Sequence, residues 1–295
     1  MSAAIEGLLC LDKSSGPTSH DVVNKIRRLT GIRRVGHAGT LDPLATGLLL
    51  VCLGRATRLL EYLVGQPKSY VATIQMGQET DTYDAEGEII AERAVAVTMQ
   101  QLSAALDTYQ GQISQRAPLF SAVKVDGQPL YRRARRGEDV EPPVRVVTIY
   151  QLKLLDRQES TLVVGVKCSS GTYIRSLAHD LGQSLGCGAH LADLRRTEVG
   201  SFTLDDAIAL DELSPQDWQE HMRPSDSAVS HMARLELTLD EAVTLYHGQS
   251  VEVRPGQTNH SPARAYDEAG RFVGIVTAEA ARWRARKIFY QPGQG

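Results

Sequence analysis

The sequence predicts an α+β fold: one large mixed, mainly antiparallel sheet flanked by helices, followed by a small C-terminal β-barrel. Three observations carry this. Strand-like and helix-like patterns mix over roughly the first 200 residues without strict strand–helix–strand alternation, which disfavours an all-parallel sheet. A polar, acidic, Pro-containing stretch near Asp211–Ser230 reads as a link between two domains. Leu235–Gln291 then offers only short strands between Gly, Pro and Asn turns, as a small barrel does. The predicted domains are 1–230 and 231–295, with no internal repeat.

In chain order, Gly7–Asp12 reads as a short strand and Ser14-Ser15-Gly16-Pro17 as a turn. Thr18 or Ser19 caps a helix whose Val22, Val23, Ile26 and Leu29 form one apolar stripe, ending before Gly31. Gly36–Gly47 has four Gly or Pro residues and no usable period, so it reads as a loop. Leu48–Leu53 is a continuous apolar run, the mark of a fully buried strand. Arg58–Val64 suggests a short helix, and Tyr70–Met76 alternates as a strand does. After an acidic loop, Glu79–Glu88, Thr98 and Gln101 form a capping box for a helix with Leu102, Ala105, Leu106 and Tyr109 inward. Val123–Gly127 predicts a strand into an Asp-Gly turn, Leu130–Arg136 a short basic helix, and Val144–Leu155 and Thr161–Cys168 two strands. A helix follows with Ile174, Leu177, Ala178 and Leu181 on one side. The tail strands are Ser250–Val253, Ala263–Asp267, Phe272–Val276 and Lys287–Tyr290.

The chain has 295 residues, room for one large domain and a small one. Its net charge of −3 hides an uneven distribution. Residues 1–60 carry eight Lys or Arg against four acids, whereas 205–226 carry seven acids against Arg223 alone. A polyanion responds to the local potential, so a basic face remains compatible with this composition. Cys10, Cys52, Cys168 and Cys187 are scattered without a C-x-x-C, which favours free thiols in a reducing compartment over a disulfide frame or zinc site. No basic N-terminal stretch precedes a long apolar one, so neither a signal peptide nor a membrane span is expected, and the expected location is cytoplasmic. H-E-x-x-H and G-x-x-x-x-G-K-[ST] are both absent, and no metal or organic cofactor is expected.

The most unusual stretch is His37-Ala38-Gly39-Thr40-Leu41-Asp42-Pro43-Leu44-Ala45-Thr46-Gly47. It places a carboxylate, an imidazole and two hydroxyls on a Gly-hinged loop running into a buried strand, a setting that holds a nucleophile rigidly. On residues alone, Asp42-Pro43 equally suits a plain turn.

That loop matches the H-x-G-x-L-D-P-x-A-x-G motif of the TruB-type pseudouridine synthases, which modify uridine 55 of bacterial tRNA. Further segments resemble the family in the same order. Gly7–Val23 is similar to its opening segment, and Gly77-Gln78-Glu79-Thr80-Asp81-Thr82-Tyr83-Asp84 to its G-x-x-T-D-T-x-D loop. Ser121–Gly127, continuing to Tyr131 and Ala134-Arg135, resembles its S-A-x-K-x-x-G-x-x-x-Y-x-x-A-R segment, and Cys168–Arg175 its C-S-x-G-T-Y-I-R motif. The tail resembles a PUA domain, a small RNA-binding barrel.

The resemblance implies a pseudouridine synthase fold over 1–230, with a basic RNA-binding insert at about 111–143, and a PUA-like domain over 231–295. It implies conversion of uridine to pseudouridine in the T-loop by base flipping, with no cofactor. Asp42 carries over as the attacking or assisting carboxylate, Arg175 as its partner, and Tyr70 as the active-site aromatic. His37, Tyr173 and Leu194 carry over as contacts to the flipped nucleotide or its vacated place. For the phosphates, Arg132, Arg133, Arg135 and Arg136 form a cluster, with Lys13, Arg33, Arg34, Arg195 and Arg196 as additions. A model Asp has a pKa of about 3.9, so Asp42 is expected ionised at neutral pH unless strongly desolvated. The expected partner is the T-arm of tRNA, bound by a monomer, with no membrane, guide RNA or obligate protein partner. Two positions depart from the family: Glu79 stands where many relatives carry Arg, and Ser14 where Pro is usual. Rival readings are the guide-dependent branch of the superfamily, a non-catalytic RNA-binding module, and a glycoside hydrolase. The hydrolase needs a second carboxylate such as Asp81 or Asp84, although the Asp81–Asp84 segment reads as structural.

Overall fold

The computed structural model describes residues 5–292 apart from 122, 126, 135, 258 and 259. Arg135, named above, and Ala122 and Asp126 of the Ser121–Gly127 segment thus lie outside the described residues.

β1 (Gly7–Lys13) opens the fold. α1 (Ser19–Thr30) follows, begun by a reciprocal capping box between Thr18 and Asp21 and ended at Gly31, whose φ of 71° only glycine adopts cheaply. β2 (Val35–His37) pairs antiparallel with β3 (Thr46–Leu53). The expected loop is therefore shorter at both ends, because three-residue strands leave no readable period. β3 buries both faces: Leu49, Val51 and Leu53 enter the main core, while Leu48, Leu50 and Cys52 enter a second one. A strand covered on both sides needs that unbroken apolar run.

A 3-10 turn, Gly54–Leu59, leads into α2 (Leu60–Val64). β4 (Lys68–Met76) alternates strictly between buried and half-buried positions. β5 (Gln78–Thr80) and β6 (Ile89–Glu92) form a hairpin that brackets the acidic turn. α3 (Met99–Thr108) carries the predicted Thr98–Gln101 box. β7 (Gly111–Arg116) occupies the first six residues of the expected insert, yet it is an edge strand of the main sheet. β8 (Lys124–Val125), β9 (Gln128–Pro129) and α4 (Leu130–Ala134) make up the rest of the insert's regular structure. β10 (Val144–Gln158), β11 (Thr161–Cys168), α5 (Ile174–Ser184) and β12 (Ala189–Val199) complete the layers, with β13 (Phe202–Thr203) and β14 (Ile208–Ala209) as short additions.

The sheet order is β14-β1-β3-β12-β4-β11-β10-β7, with β2 on β3 and β13 on β12. Within this sheet pairing is parallel at β14–β1 and β3–β12, and antiparallel at its other ladders, so the mixed, mainly antiparallel sheet is present. β12, late in the chain, slots between β3 and β4 and brings Arg195 and Arg196 beside Thr46 and Gly47.

The acidic stretch near 211–230 is not a loose link. Leu213 and Trp218 are buried in the main core, Ala228 and Val229 in the second, and Arg223 exchanges backbone hydrogen bonds of 2.9 and 2.8 Å with Leu8. Its acids face water while a minority of apolar side chains anchor it, which composition alone conceals. The tail has β15 (Arg234–Glu236), α6 (Leu239–Tyr246), β16 (Val251–Glu252), β17 (Ala263–Tyr266), β18 (Phe272–Glu279) and β19 (Arg282–Ile288). Its five strands, ordered β15-β17-β18-β19-β16, make a curled half-barrel. α6 was not expected, and β19 begins five residues before the predicted Lys287. Trp283, Leu235 and Leu245 fill the tail's own core, while Ile275 and Phe289 pack with Leu8 and Leu50 against the main sheet. All four cysteines are free and buried. Among the described residues no helix is long and apolar enough to cross a membrane.

One close approach makes a test. Gly47 has a φ of +98°, and a Cβ there would lie 2.2 Å from the Arg196 carbonyl oxygen. Gly47→Ala is expected to destabilise the fold by about 2–4 kcal/mol. A urea midpoint lowered with unchanged slope would agree; an unaltered midpoint would contradict it.

Candidate active site

The loop bearing Asp42 is pinned by three buried side chains from elsewhere. Ser19, on the first turn of α1, donates to the Leu41 carbonyl at 3.0 Å and accepts from the Leu41 amide at 2.8 Å. Lys13, at the end of β1, donates to the carbonyls of Ser14 at 2.9 Å, Pro43 at 3.2 Å and Ala45 at 2.6 Å. Arg196, on β12, donates to the carbonyls of Leu48 at 2.7 Å and Gly39 at 3.0 Å. A buried cation needs several acceptors to replace its water, and here loop carbonyls supply them. Asp42 is therefore mounted on a segment fixed on both of its sides.

Arg175 meets Asp42 from the first turn of α5. Its Nε lies 3.1 Å from Asp42 Oδ2, and its Nη1 lies 3.0 Å from Asp84 Oδ2. Nη2 donates to the Phe120 carbonyl at 3.2 Å. The Nε contact is a charge pair without a well-aligned hydrogen bond, so Asp84 is the better-bonded carboxylate. The Asp42 side chain is 36% exposed, against 6% for Arg175 and 3% for Asp84. All three line the cleft, but Asp42 is the one with appreciable exposure to it. Burial raises the Asp42 pKa above the ordinary carboxylate range; Arg175 opposes the rise, Asp84 adds to it, and Lys13 opposes it.

The cleft encloses about 950 Å³. Tyr70, on β4, lines it and is almost wholly buried, and burial keeps its phenol neutral by pushing the pKa up. The nearby Arg196 charge opposes that rise. Leu194 and Tyr173 line the same cleft. Gln115, fully buried on β7, holds the Tyr173 backbone by accepting from its amide at 2.7 Å and donating to its carbonyl at 2.9 Å. On the neighbouring turn Tyr83 adopts φ 66° and stacks on His179 at 3.9 Å between ring centres. His179 stands one helical turn from Arg175, so the stack ties the Thr82–Asp84 turn to the same face of α5.

The structure thus brings Asp42, Tyr70, Arg175, Tyr173 and Leu194 to one cleft. His37 is half-buried at the end of β2, outside the cleft wall, and burial lowers its pKa. Arg133 and Arg136 both donate to Glu138 at 2.7 Å, and Arg132 is exposed. One expectation is corrected: Lys13 and Arg196 are buried, and their donors go to loop carbonyls rather than standing free for phosphates. Asp84 has a structural place, anchoring Arg175. Arg195 pairs with Asp12 at 2.6 Å. Glu79, itself buried, pairs with the half-exposed Arg93, and Ser14 gives its carbonyl to Lys13. Among the described residues no group of His, Cys, Asp or Glu is arranged to hold a metal.

Comparison with known proteins extends this geometry. Residues 27–174 match the TruB family pseudouridylate synthase (N terminal domain). Residues 175–244 match the tRNA pseudouridylate synthase B C-terminal domain, and 233–283 match pseudouridine synthase II TruB, C-terminal. A tRNA pseudouridine synthase B from Pseudomonas aeruginosa (strain UCBPP-PA14) is 44% identical over 279 residues, 92% of this chain and 91% of that one. One from Arthrobacter sp. (strain FB24) is 43% identical over 301 residues, 98% of this chain and 97% of that one. Among solved structures, an H/ACA RNP bound to a substrate RNA containing 2'-deoxyuridine has a chain similar at TM-score 0.75 and 25% identity, covering 97% of this chain and 85% of that one. A chain of a Cbf5-Nop10-Gar1 complex is similar at TM-score 0.73 and 26% identity, covering 96% and 85%.

The electrostatics predict a titration. Asp42, followed by carboxyl NMR, is expected to titrate above the ordinary value of about 3.9, and Asp84→Asn is expected to move it down. The sign carries over to stability. A raised folded pKa means the ionised form costs stability as pH rises through it, so Asp42→Asn should gain on the wild type at neutral pH and match it in acid. A midpoint at or below the ordinary value would contradict this.

Proposed function

The chain belongs to the TruB family of pseudouridylate synthases, and from that premise we propose that it acts on the T-loop of tRNA, at position 55, with Asp42 as the reacting carboxylate. It isomerises uridine to pseudouridine in tRNA. The observation that carries the site assignment is the Asp42–Arg175–Asp84 arrangement, in which one carboxylate is partly exposed to the cleft and the other two groups are nearly buried beside it.

The reaction cleaves the C1′–N1 glycosidic bond, turns the freed uracil, joins its C5 to C1′, and removes the C5 proton. The target uridine first leaves its stack, at a cost of a few kcal/mol that a strained loop reduces. In the cleft Asp42 either attacks C1′ or assists base departure towards a glycal, and Arg175 keeps its charge available despite burial. Tyr70 and Leu194 pack the detached uracil and exclude water, which would otherwise capture the sugar. Tyr173 contacts the flipped nucleotide, and His37 fills its vacated place. Arg132, Arg133, Arg135 and Arg136 grip phosphates of the T-arm; the shared pairing of two of them with Glu138 is exposed, so exchange for a phosphate is cheap.

The protein works as a cytoplasmic monomer without guide RNA or metal, and its two functional units are 1–230 and 231–295. The hydrolase reading is disfavoured by Asp84, which lines the cleft but is buried and bonded to Arg175, so it is not a free acid.

The test is an unmodified tRNA transcript incubated with purified protein, followed by mapping of pseudouridine. A single site in the T-loop is expected. Asp42→Asn should lose product formation while tRNA affinity stays within about threefold, because the change leaves phosphate contacts intact. Comparable product from the variant, or release of free uracil, would refute the assignment.

A further inference from the structure

Four cationic side chains line the cleft: Lys68, Arg145, Arg175 and Arg196. Three are committed to protein acceptors. Arg175 holds two carboxylates, and Arg196 holds the Leu48 and Gly39 carbonyls. The Lys68 Nζ donates to the carbonyls of Val64 at 2.6 Å and Gln66 at 2.7 Å. Arg145, half-buried on β10, has no carboxylate or carbonyl partner among the described residues.

Its position is nevertheless well defined. The guanidinium carbon lies 5.9 Å from the centre of the Tyr173 ring. Arg145 stands directly across from Gln115 in the β10–β7 ladder, and Gln115 is the residue whose buried amide clamps the Tyr173 backbone. One strand pair therefore sets both the ring and the cation. Alongside runs the Ser169–Thr172 turn, where a Cβ on Gly171 would lie 3.8 Å from Arg145 Nη1, so backbone lies close to that side of the guanidinium. A partly desolvated guanidinium without a counter-charge is incomplete, and its planar fork matches the oxygens of a phosphate.

We propose that Arg145 binds the phosphodiester adjoining the everted uridine, so that the target nucleotide is held by its base on Tyr173 and by its backbone on Arg145. This rests on the reading above that Tyr173 contacts that nucleotide. The guanidinium lies about one nucleotide's width from the ring face, so both contacts are available to the same residue of RNA. Such a contact positions the sugar against Asp42 without reading sequence.

The experiment uses the full-length protein and an RNA stem-loop carrying the target uridine. Arg145→Met is expected to raise Kd and KM about five- to tenfold, with a smaller effect on kcat. Its plot of log Kd against log salt should be shallower by about 0.7, the loss of one phosphate contact. Arg145→Lys should keep the wild-type slope and recover part of the affinity. In RNA with a neutral methylphosphonate at the adjoining position, the wild type should lose the same affinity, and Arg145→Met should lose nothing further. An unchanged salt slope in Arg145→Met, or an equal methylphosphonate penalty in both proteins, would overturn the assignment. A drop in kcat with the slope intact would also overturn it, since Arg145 would then act only through Tyr173. Should Arg145→Met misfold, shown by a lowered Tm, the Lys variant and the methylphosphonate penalty on the wild type decide the matter. Failure of the wild type to form pseudouridine in the stem-loop would count against the functional reading itself; wild-type turnover with an indifferent Arg145 defeats only this inference.

Discussion

One guanidinium serving two carboxylates is the constraint on which the site depends. Arg175 is nearly buried, and so is Asp84; together they form a pair that the fold has to satisfy whether or not substrate is present. Breaking such a pair by removing one member costs on the order of 3–5 kcal/mol, because the other is left as an uncompensated buried charge. Asp84 thus fixes where the guanidinium stands, and Asp42 meets a cation it does not have to position. The weaker alignment of the Asp42 contact suits the proposed role, since a carboxylate bonded as fully as Asp84 is better stabilised and less nucleophilic.

The same economy of buried charge shapes the loop. Lys13 and Arg196 are among the most deeply buried side chains, and each spends its donors on carbonyls of the segment from Gly39 to Leu48. These residues come from β1 and β12, and α1 contributes Ser19. The Asp42 loop is consequently a meeting point of strands distant in the chain, and its rigidity belongs to the whole sheet. Gly47 makes the point locally: it lies so close to the Arg196 backbone that no side chain fits between β3 and β12.

Much of this was legible in the sequence where the cause is local. The Thr98–Gln101 box, the stripe of α1, the double-faced burial of β3 and the Gly-hinged Asp42 loop all arise from neighbours in sequence. What escaped depends on long-range pairing. Asp84 reaches Arg175 only because the β5–β6 hairpin folds its turn against α5, 91 residues away in sequence. Gln115 was hidden in a stretch that read as a basic insert, since a six-residue edge strand whose only large apolar residue is Ile113 has little apolar signal. The burial of Arg196 follows from strand geometry. Successive residues on a strand face opposite sides, so Arg195 and Arg196 could not both meet the same phosphates. One pairs with Asp12 and the other is buried. Trp218 and Leu213, lost among seven acids, show how a few apolar anchors fasten a segment whose composition reads as a linker.

The account's central claim is that Asp42 acts through an arginine held in place by Asp84. The most direct measurement is the single-turnover rate of pseudouridine formation in the double-mutant cycle of Arg175→Met and Asp84→Asn, at saturating tRNA and with folding verified. If the two residues act as one unit, the double variant should be no slower than Arg175→Met alone, because Asp84 has nothing left to position. Rate losses that simply multiply would show Asp84 and Arg175 acting independently, and would contradict it.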